Sequence, residues 1–437
     1  MNKFSYPYLT ALIAQYLFNL NPKVFGIALK LYKFVLWSPR LITRKLTVYV
    51  PIPRSNERTI YLVTQNYSQV SLKGGISRVE NYFYDQLTSK KHLPFRIIPV
   101  AWDGRNFVVV NENSRFKSQN AFMTRKSSAW NPSKDDLLFF QTFTLLNQFN
   151  ESEIRILSKS CKIIVNIYDI LPITDPQWFK DYMVHTFKRN FNLAWNYAEL
   201  LIVNCAHTKS EIETYIAKNK EIFGNNSPQI KQVNLWSVAA PKPEISIGNH
   251  ATSIQATNLF SNSDPILLLL STVDPRKGHQ ELIRSAMQVW SEGVEFNLLF
   301  VGRLGWISNS FKSEFQEFLK IEKGRALWVS NVNDDELERY MSASNILISP
   351  SLGEGFGLPI AEALQRDLPV LANGIKPYKE LFGSYVVLYG VNETFYSLTD
   401  ALREIDEVIT MGYKMLISNK FSNKDSLSEL LESFENL

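Results

Sequence analysis

Two glutamates eight residues apart, Glu354 and Glu362, flank a glycine-rich turn in the stretch Ser349 to Gly374, SPSLGEGFGLPIAEALQRDLPVLANG. Carboxylates accept hydrogen bonds from the hydroxyls of sugars, and glycines let a pyrophosphate approach the main chain closely. A second cluster lies upstream in Pro265 to Ala286, PILLLLSTVDPRKGHQELIRSA, where Arg276 and Lys277 follow a leucine-rich run and a proline turn. Two adjacent cations at the carboxyl end of a strand stand where open α/β sheets bind their ligands, and they suit a phosphate.

The elements that must position these groups can be read from the same segments. The apolar run Asn345 to Ser349 predicts a buried parallel strand, Gly353, Gly355 and Gly357 loosen the chain, and Pro359 fits the first turn of a helix. Free N–H groups at that helix start attract anions. Glu354 then falls on the loop and Glu362 on the helix, so one can meet a ligand beside the phosphates and the other a hydroxyl-bearing group on its far side. Upstream, Ile266 to Leu270 predicts a strand, and Leu282, Ile283, Ala286, Met287 and Trp290 predict one apolar face of the next helix.

These residues resemble the retaining glycosyltransferases of family four, whose fold is the two-domain α/β arrangement named GT-B. That family carries the pattern E-G-F-G-L-P-x-x-E-A after a P-S strand end, and Glu354-Gly355-Phe356-Gly357-Leu358-Pro359 to Glu362-Ala363 matches it throughout. Val301-Gly302-Arg303 to Trp306, Asn333 to Ala343 and Pro369-Val370-Leu371 look like further landmarks in the right order. The resemblance is to bacterial enzymes that add mannose or related 6-deoxyhexoses to surface polysaccharides. It implies two Rossmann-like domains facing a central cleft. It also implies that Glu362 holds the donor ribose and Glu354 the transferred hexose, and that Gly355, Phe356, Gly357 and Leu358 supply backbone donors. Arg276 and Lys277 would stabilise the leaving phosphate, and Arg303 would lie near the nucleobase and ribose.

In the first half, Gly74 and Gly75 before Ile76-Ser77-Arg78-Val79 resemble the family's N-terminal glycine loop, and Arg78 is either an exposed helix charge or an anion ligand. Ile167-Tyr168-Asp169-Ile170-Leu171-Pro172 resembles its H-D-x-x-P element with tyrosine in place of histidine. Asp169 is then a candidate to accept from an acceptor hydroxyl or, alternatively, a turn cap, and the acceptor-side base has no imidazole. In LIVNCAHTKSEI, Thr208 with Glu211 predicts a helix cap.

A chain of 437 residues exceeds the size of one ordinary core. The expected division is a basic aromatic N-terminal extension over residues 1–58, an acceptor domain over 59–245, a nucleotide-sugar domain over 246–420, and a closing helix over 421–437 that packs back on the first domain. The polar stretch Lys242 to Ser263 is the expected linker. Strands are predicted at 59–64, 95–100, 136–140, 162–168 and 199–204, then at 266–270, 297–301, 326–329, 345–349, 369–372 and 386–388.

Charge and composition exclude several classes. The 47 basic and 42 acidic residues give a net charge of +5, which is too mild for a nucleic-acid binder. The five histidines and two cysteines have no zinc-ligand spacing, so a metal-independent enzyme without cofactor is expected, with the nucleotide sugar as substrate. Cys161 and Cys205 fall in or beside strand-like runs and read as buried thiols. The first fifty residues hold seven basic residues and no acidic one among many aromatics, yet no apolar run long enough to span a bilayer. Two readings stand for them: a helical extension on an anionic inner membrane face, which would make a cytoplasmic protein peripheral, or aromatics packed on the first domain.

The expected activity is transfer of a hexose, mannose from GDP-mannose, to a lipid-linked or surface glycan. The alternative is a non-catalytic GT-B subunit that binds a partner transferase. A phosphorylase or sugar-phosphate synthase would need a second phosphate cluster in the first half, and a dinucleotide enzyme lacks G-x-G-x-x-G after the first strand.

Overall fold

Short runs of Leu, Ile, Val and Phe bounded by polar turns alternate with amphipathic segments along most of the chain, and in the computed structural model they form two parallel sheets flanked by helices. The structure describes residues 48–51, 57–64, 75–90, 93–102, 107–110, 126–129, 132–223, 227–239, 259–391, 394–419 and 425–437. In chain order the strands are β1 (Val48–Pro51), β2 (Thr59–Val63), β3 (Arg96–Trp102), β4 (Phe107–Val109), β5 (Lys126–Ala129), β6 (Leu137–Phe140), β7 (Lys162–Ile167), β8 (Leu200–Val203) and β9 (Gln229–Gln232). They continue with β10 (Ile266–Leu270), β11 (Asn297–Val301), β12 (Ala326–Val329), β13 (Ile346–Ser349), β14 (Val370–Asn373) and β15 (Val387–Tyr389).

The described residues divide into two units, one holding residues 48–51 and 126–129 and the other the remainder. In the smaller unit, β1 and β5 pair in parallel, with Val48 opposite Lys126. The sequence reading placed residues 1–58 in a helical extension. Residues 48–51 are instead strand, as suits the β-branched and aromatic run VYVP. Residues 1–47, on which the membrane-surface reading rests, lie outside the described residues.

The larger unit holds both Rossmann-like halves. In the first, strands run in the order β4-β3-β2-β6-β7-β8-β9, parallel except for the antiparallel β3–β4 pair. In the second, six strands run in the order β12-β11-β10-β13-β14-β15, all parallel. Strands β1, β4, β5 and β9 are additional to those read from sequence. The burial of β9, with Gln229, Lys231 and Gln232 exposed, explains why it lacked an apolar signal.

One hydrophobic core joins the two halves: Leu62, Phe139 and Ile202 from the first share it with Leu347, Phe356 and Phe382 from the second. Trp236 is the junction, with its ring edge-on to both Phe356 and Phe382. The last helix, Ser426–Glu435, contributes Leu427, Leu430 and Phe434 to this core. Phe434 packs on Phe95 and Phe139 of the first half, and Glu429 accepts from the Asn234 N–H. The helix His279–Ser291 buries Leu282, Ile283, Ala286, Val289 and Trp290, but Met287, expected on that face, is exposed. Cys161 and Cys205 are buried free thiols.

Candidate active site

β10 delivers the chain to a proline turn at its carboxyl end, and there Asp274 caps the short turn Pro275–Lys277 by accepting from the Arg276 N–H at 3.1 Å. Gly278 then takes the left-handed conformation, φ 72°, and lies so close to the neighbouring strand end that a Cβ would fall 2.0 Å from the Pro350 carbonyl oxygen. This locks the turn to the segment after β13, and the Leu352 N–H donates to the Arg276 carbonyl at 2.7 Å. Glu354 is thereby brought between two cations. The Arg276 guanidinium donates to Glu354 Oε2 at 3.0 Å and to the Gly353 carbonyl at 3.1 Å, and Lys277 Nζ pairs with Glu354 Oε1. Ser351 donates to Glu354 Oε1 at 3.1 Å and Tyr378 reaches the same oxygen at 3.4 Å.

Burial alone would raise the Glu354 carboxyl, but Lys277 and Arg276 together outweigh it and hold the group down at about 2. Burial, and then the neighbouring Arg276 charge, pull Lys277 below the usual lysine range, while Glu354 opposes them. The two cations predicted for a phosphate and the glutamate predicted for a hexose thus form a single half-buried cluster. Its two cations share one carboxylate, with Asp274 3.7 Å from the Arg276 Nε.

The glycine loop after β13 meets the first half directly. A Cβ on Gly355 would fall 2.0 Å from the Tyr168 carbonyl oxygen, at the end of β7, so only glycine allows this approach. The Gly355 carbonyl in turn lies 3.1 Å from the Cys205 thiol. Asp169 accepts from the Leu171 N–H at 3.1 Å, as a turn cap does, and it also feels the charge of Arg276. Burial is the largest influence on Asp169 and raises its carboxyl above the usual range, against the pull of Arg276. Tyr168 donates its hydroxyl to the Gln141 carbonyl at 2.8 Å, and burial pushes that hydroxyl well above its ordinary value. Its hydroxyl is therefore spent within the first half.

Glu362 is buried, and Arg78 of the helix Gly75–Ser89 reaches across from the first half to form an ion pair with it. Gly75 sits beside the Leu358 side chain, whereas Gly74 lies outside the described residues. Phe356 is a core residue against Trp236 and Phe382, and Leu358, Gly357 and Gly355 follow the loop into the short helix Leu358–Leu364. Arg303 stands just past the end of β11, half-buried, with its carbonyl accepting from the Val273 N–H at 2.8 Å. Trp306, which ends the landmark beginning at Val301, donates its indole N–H across to the Trp178 carbonyl at 2.9 Å.

The helix Ala206–Lys218 corrects another expectation. Thr208 does not cap it: Cys205 does, with its sulfur accepting from the Thr208 N–H, and Thr208 is buried inside the first turn. The free N–H groups of Ala206 and His207 donate instead to the two carboxylate oxygens of Glu380, at 2.7 and 2.8 Å. Serine and threonine usually fill this position, and a thiol with a carboxylate from the other half replaces them here. Neither Glu380 nor Trp178 carried a sequence signal, because each acts through a partner more than a hundred residues away. Among the described residues no group of three or more His, Cys, Asp or Glu side chains is placed to hold a metal ion, and no helix is long and apolar enough to cross a membrane.

Residues 251–435 match the family model described as "Glycosyl transferases group 1". Among characterised proteins, the serotype-specific mannosyltransferase WbdA of Escherichia coli is 29% identical over 217 residues, which is 49% of this chain and 26% of WbdA. A further WbdA sequence is 30% identical over 218 residues. The chain spans about a quarter of the length of these relatives. Among solved structures, Anabaena Alr3699/HepE in complex with UDP-glucose superposes with a TM-score of 0.59 at 14% identity, covering 87% of this chain and 100% of that one. The sucrose-phosphate synthase of Thermosynechococcus elongatus superposes with a TM-score of 0.55 at 12% identity, covering 87% and 98%. Two parallel α/β halves with these neighbours make the fold GT-B. Residues 251–435 match the group 1 glycosyltransferases, and about half of the chain is similar to bacterial mannosyltransferases of the WbdA kind.

Proposed function

We propose that the protein is a retaining, family-four-type hexosyltransferase that moves mannose from GDP-mannose to a growing lipid-linked or surface polysaccharide, without a metal ion. The observation that carries this reading is the Arg276–Lys277–Glu354 cluster at the carboxyl ends of β10 and β13. Cleavage of a glycosyl phosphate leaves negative charge on the departing phosphate, and preorganised cations aimed at it lower the barrier. Arg276 and Lys277 are held in place by Glu354, so little reorganisation is needed when a diphosphate arrives beside them. Glu354 then accepts from the hexose hydroxyls, and Glu362, eight residues on, accepts from the ribose once the donor competes with Arg78. Gly355, Gly357 and Leu358 contribute backbone N–H donors, Arg303 lies toward the base, and Gly75 marks the facing wall.

Retention follows from the family resemblance: with Glu354 engaged by both cations, the acceptor hydroxyl would attack from the side of the departing phosphate, giving its proton to that phosphate, with no covalent glycosyl-enzyme intermediate. Asp169, raised by burial and close to Arg276, is the group from which an acceptor hydroxyl would find its hydrogen-bond partner. The similarity to WbdA supports mannose as the hexose and a polysaccharide as the product. A non-catalytic subunit is the second reading, favoured by one observation: the tyrosine in the H-D-x-x-P position keeps its hydroxyl on the Gln141 carbonyl. Transfer of radiolabelled mannose from GDP-mannose to a membrane glycolipid fraction separates the two. Turnover that disappears in Arg276→Ala/Lys277→Ala supports the enzyme, and turnover retained by that variant removes the site assignment.

A further inference from the structure

We propose that Trp178 and Trp306 form a stacking subsite for one pyranose ring of the acceptor, placed immediately beyond the Arg276–Glu354 cluster; this rests on the glycosyltransferase reading above. The two rings come from opposite halves. Trp178 ends the short turn Pro176–Trp178 in the first half, and Trp306 follows β11 in the second. The loop carrying Trp306 is pinned beside the catalytic turn, since the Gly305 N–H donates to the Val273 carbonyl at 2.9 Å and Leu304 bridges to Val273.

The geometry ties this wall to the chemistry. The Trp178 ring lies over Gly353, where a Cβ would fall 2.6 Å from its Cζ3 atom, and the Gly353 carbonyl accepts from Arg276. Gly353 immediately precedes Glu354, on the side of it away from Glu362 in the chain. A donor hexose held by Glu354 would therefore lie near the Trp178 ring, which packs against the adjoining Gly353. The Trp306 indole N–H is used by the Trp178 carbonyl, so a ligand would meet the ring surface left uncovered by Phe179. Phe179 stands 6.0 Å from Trp306 with the rings tilted by 32°.

A contact serving only to hold the halves together would bury these rings. Instead Trp178, Phe179 and Trp306 stay half-exposed, and Leu352, next to Gly353 in the chain, is 41% exposed. An apolar wall close to a carboxylate suits an acceptor pyranose, which has a C–H face for the indole and hydroxyls for Asp169. A bare lipid chain would make no use of the neighbouring carboxylate.

Saturation-transfer NMR on the full chain tests this, using methyl glycosides of mannose, glucose, galactose, N-acetylglucosamine and rhamnose as probes, each with GDP or UDP present. The expected result is saturation of the ring C–H protons of at least one glycoside. Its apparent affinity should fall about two- to tenfold in Trp178→Ala and in Trp306→Ala, and should largely return in Trp178→Phe. Nucleotide signals in the same samples show whether each variant is folded and whether the donor site exists. Loss of the nucleotide signal in the wild type would sink the donor reading alone. No ring saturation with any glycoside, or equal saturation in wild type and both alanine variants with nucleotide binding intact, overturns the subsite.

Discussion

Arg78 and Glu362 are 284 residues apart in the chain, yet their side chains meet as an ion pair that joins the first helix of one half to the buried carboxylate of the other. The Glu362 side chain is 3% exposed and the Arg78 side chain 37%. Removing Arg78 leaves a buried charge without its guanidinium, which costs about 3–5 kcal/mol where both partners are buried. Solvent reaches Arg78, so Arg78→Ala should cost less, about 1–2 kcal/mol. Urea unfolding of Arg78→Ala, and of Arg78→Ala/Glu362→Gln, checks this: the double variant should recover most of the loss, and an unchanged midpoint in the single variant would contradict the pairing.

Gly355 presses on the Tyr168 carbonyl with no room for a methyl group. Gly355→Ala must push the glycine loop off the first half, carrying Glu354 with it. Transfer activity should fall at least about tenfold, because a displacement of the order of an ångström at a reacting group has that size of effect or more. Gly324→Ala is the control, since a Cβ there meets nothing within 4 Å. Equal activity in the two variants would mean that the loop is not held as described.

Two groups make the fold sensitive to acid, against the opposite effect of the Asp169, Asp274 and Glu281 carboxyls, which burial raises. His279 is buried against Phe300 and Phe315 with neither ring nitrogen hydrogen-bonded among the described residues, and burial, then the Lys277 charge, hold its imidazole down from 6.5 to about 3. Glu354 is held down from 4.5 to about 2. Both groups bind protons more readily in the unfolded chain, so stability is complete above about pH 6.5 and falls as the pH drops. Each group contributes a slope approaching about 1.4 kcal/mol per pH unit inside its own window. Between pH 6 and 4.5 the slope should belong chiefly to His279, and His279→Leu should flatten it in denaturant titrations. A wild-type stability constant from pH 7 to 4 would refute this.

Asp367 occupies a left-handed conformation, φ 55°, just after the helix Leu358–Leu364, where glycine is the favoured residue. Asp367→Gly should raise stability by about 0.5–1 kcal/mol in urea unfolding while leaving transfer activity unchanged. A loss of stability would show that the aspartate side chain makes a contribution larger than the backbone strain.

Much of this arrangement was legible before the structure. The leucine runs at β10 and β13 and the alternation around them identify parallel strands, and the motif from Glu354 to Glu362 places both glutamates at the end of one of them. Asn333 and Glu336 form the reciprocal capping box their spacing predicts. What sequence could not supply is pairing at long range. Nothing local in Arg78 points to Glu362, nothing in Glu380 to the N–H groups of Ala206 and His207, and nothing in Trp306 to Trp178. Each of these contacts spans the two halves and exists only because the shared core around Trp236 brings them together. The Thr208 cap failed for a related reason. Cys205 ends the strand segment in extended backbone geometry, and its sulfur takes the capping bond before Thr208 can.

A thermal-shift titration with GDP, UDP, dTDP and ADP and their sugar conjugates tests the central claim most directly, because a ligand that binds the folded state raises its melting temperature. A shift of several degrees is expected with one nucleotide family, GDP and GDP-mannose, lost in Glu362→Ala and weakened in Arg276→Ala/Lys277→Ala. No shift with any nucleotide, or an equal shift in the Glu362→Ala variant, would contradict the donor site assigned between β10 and β13.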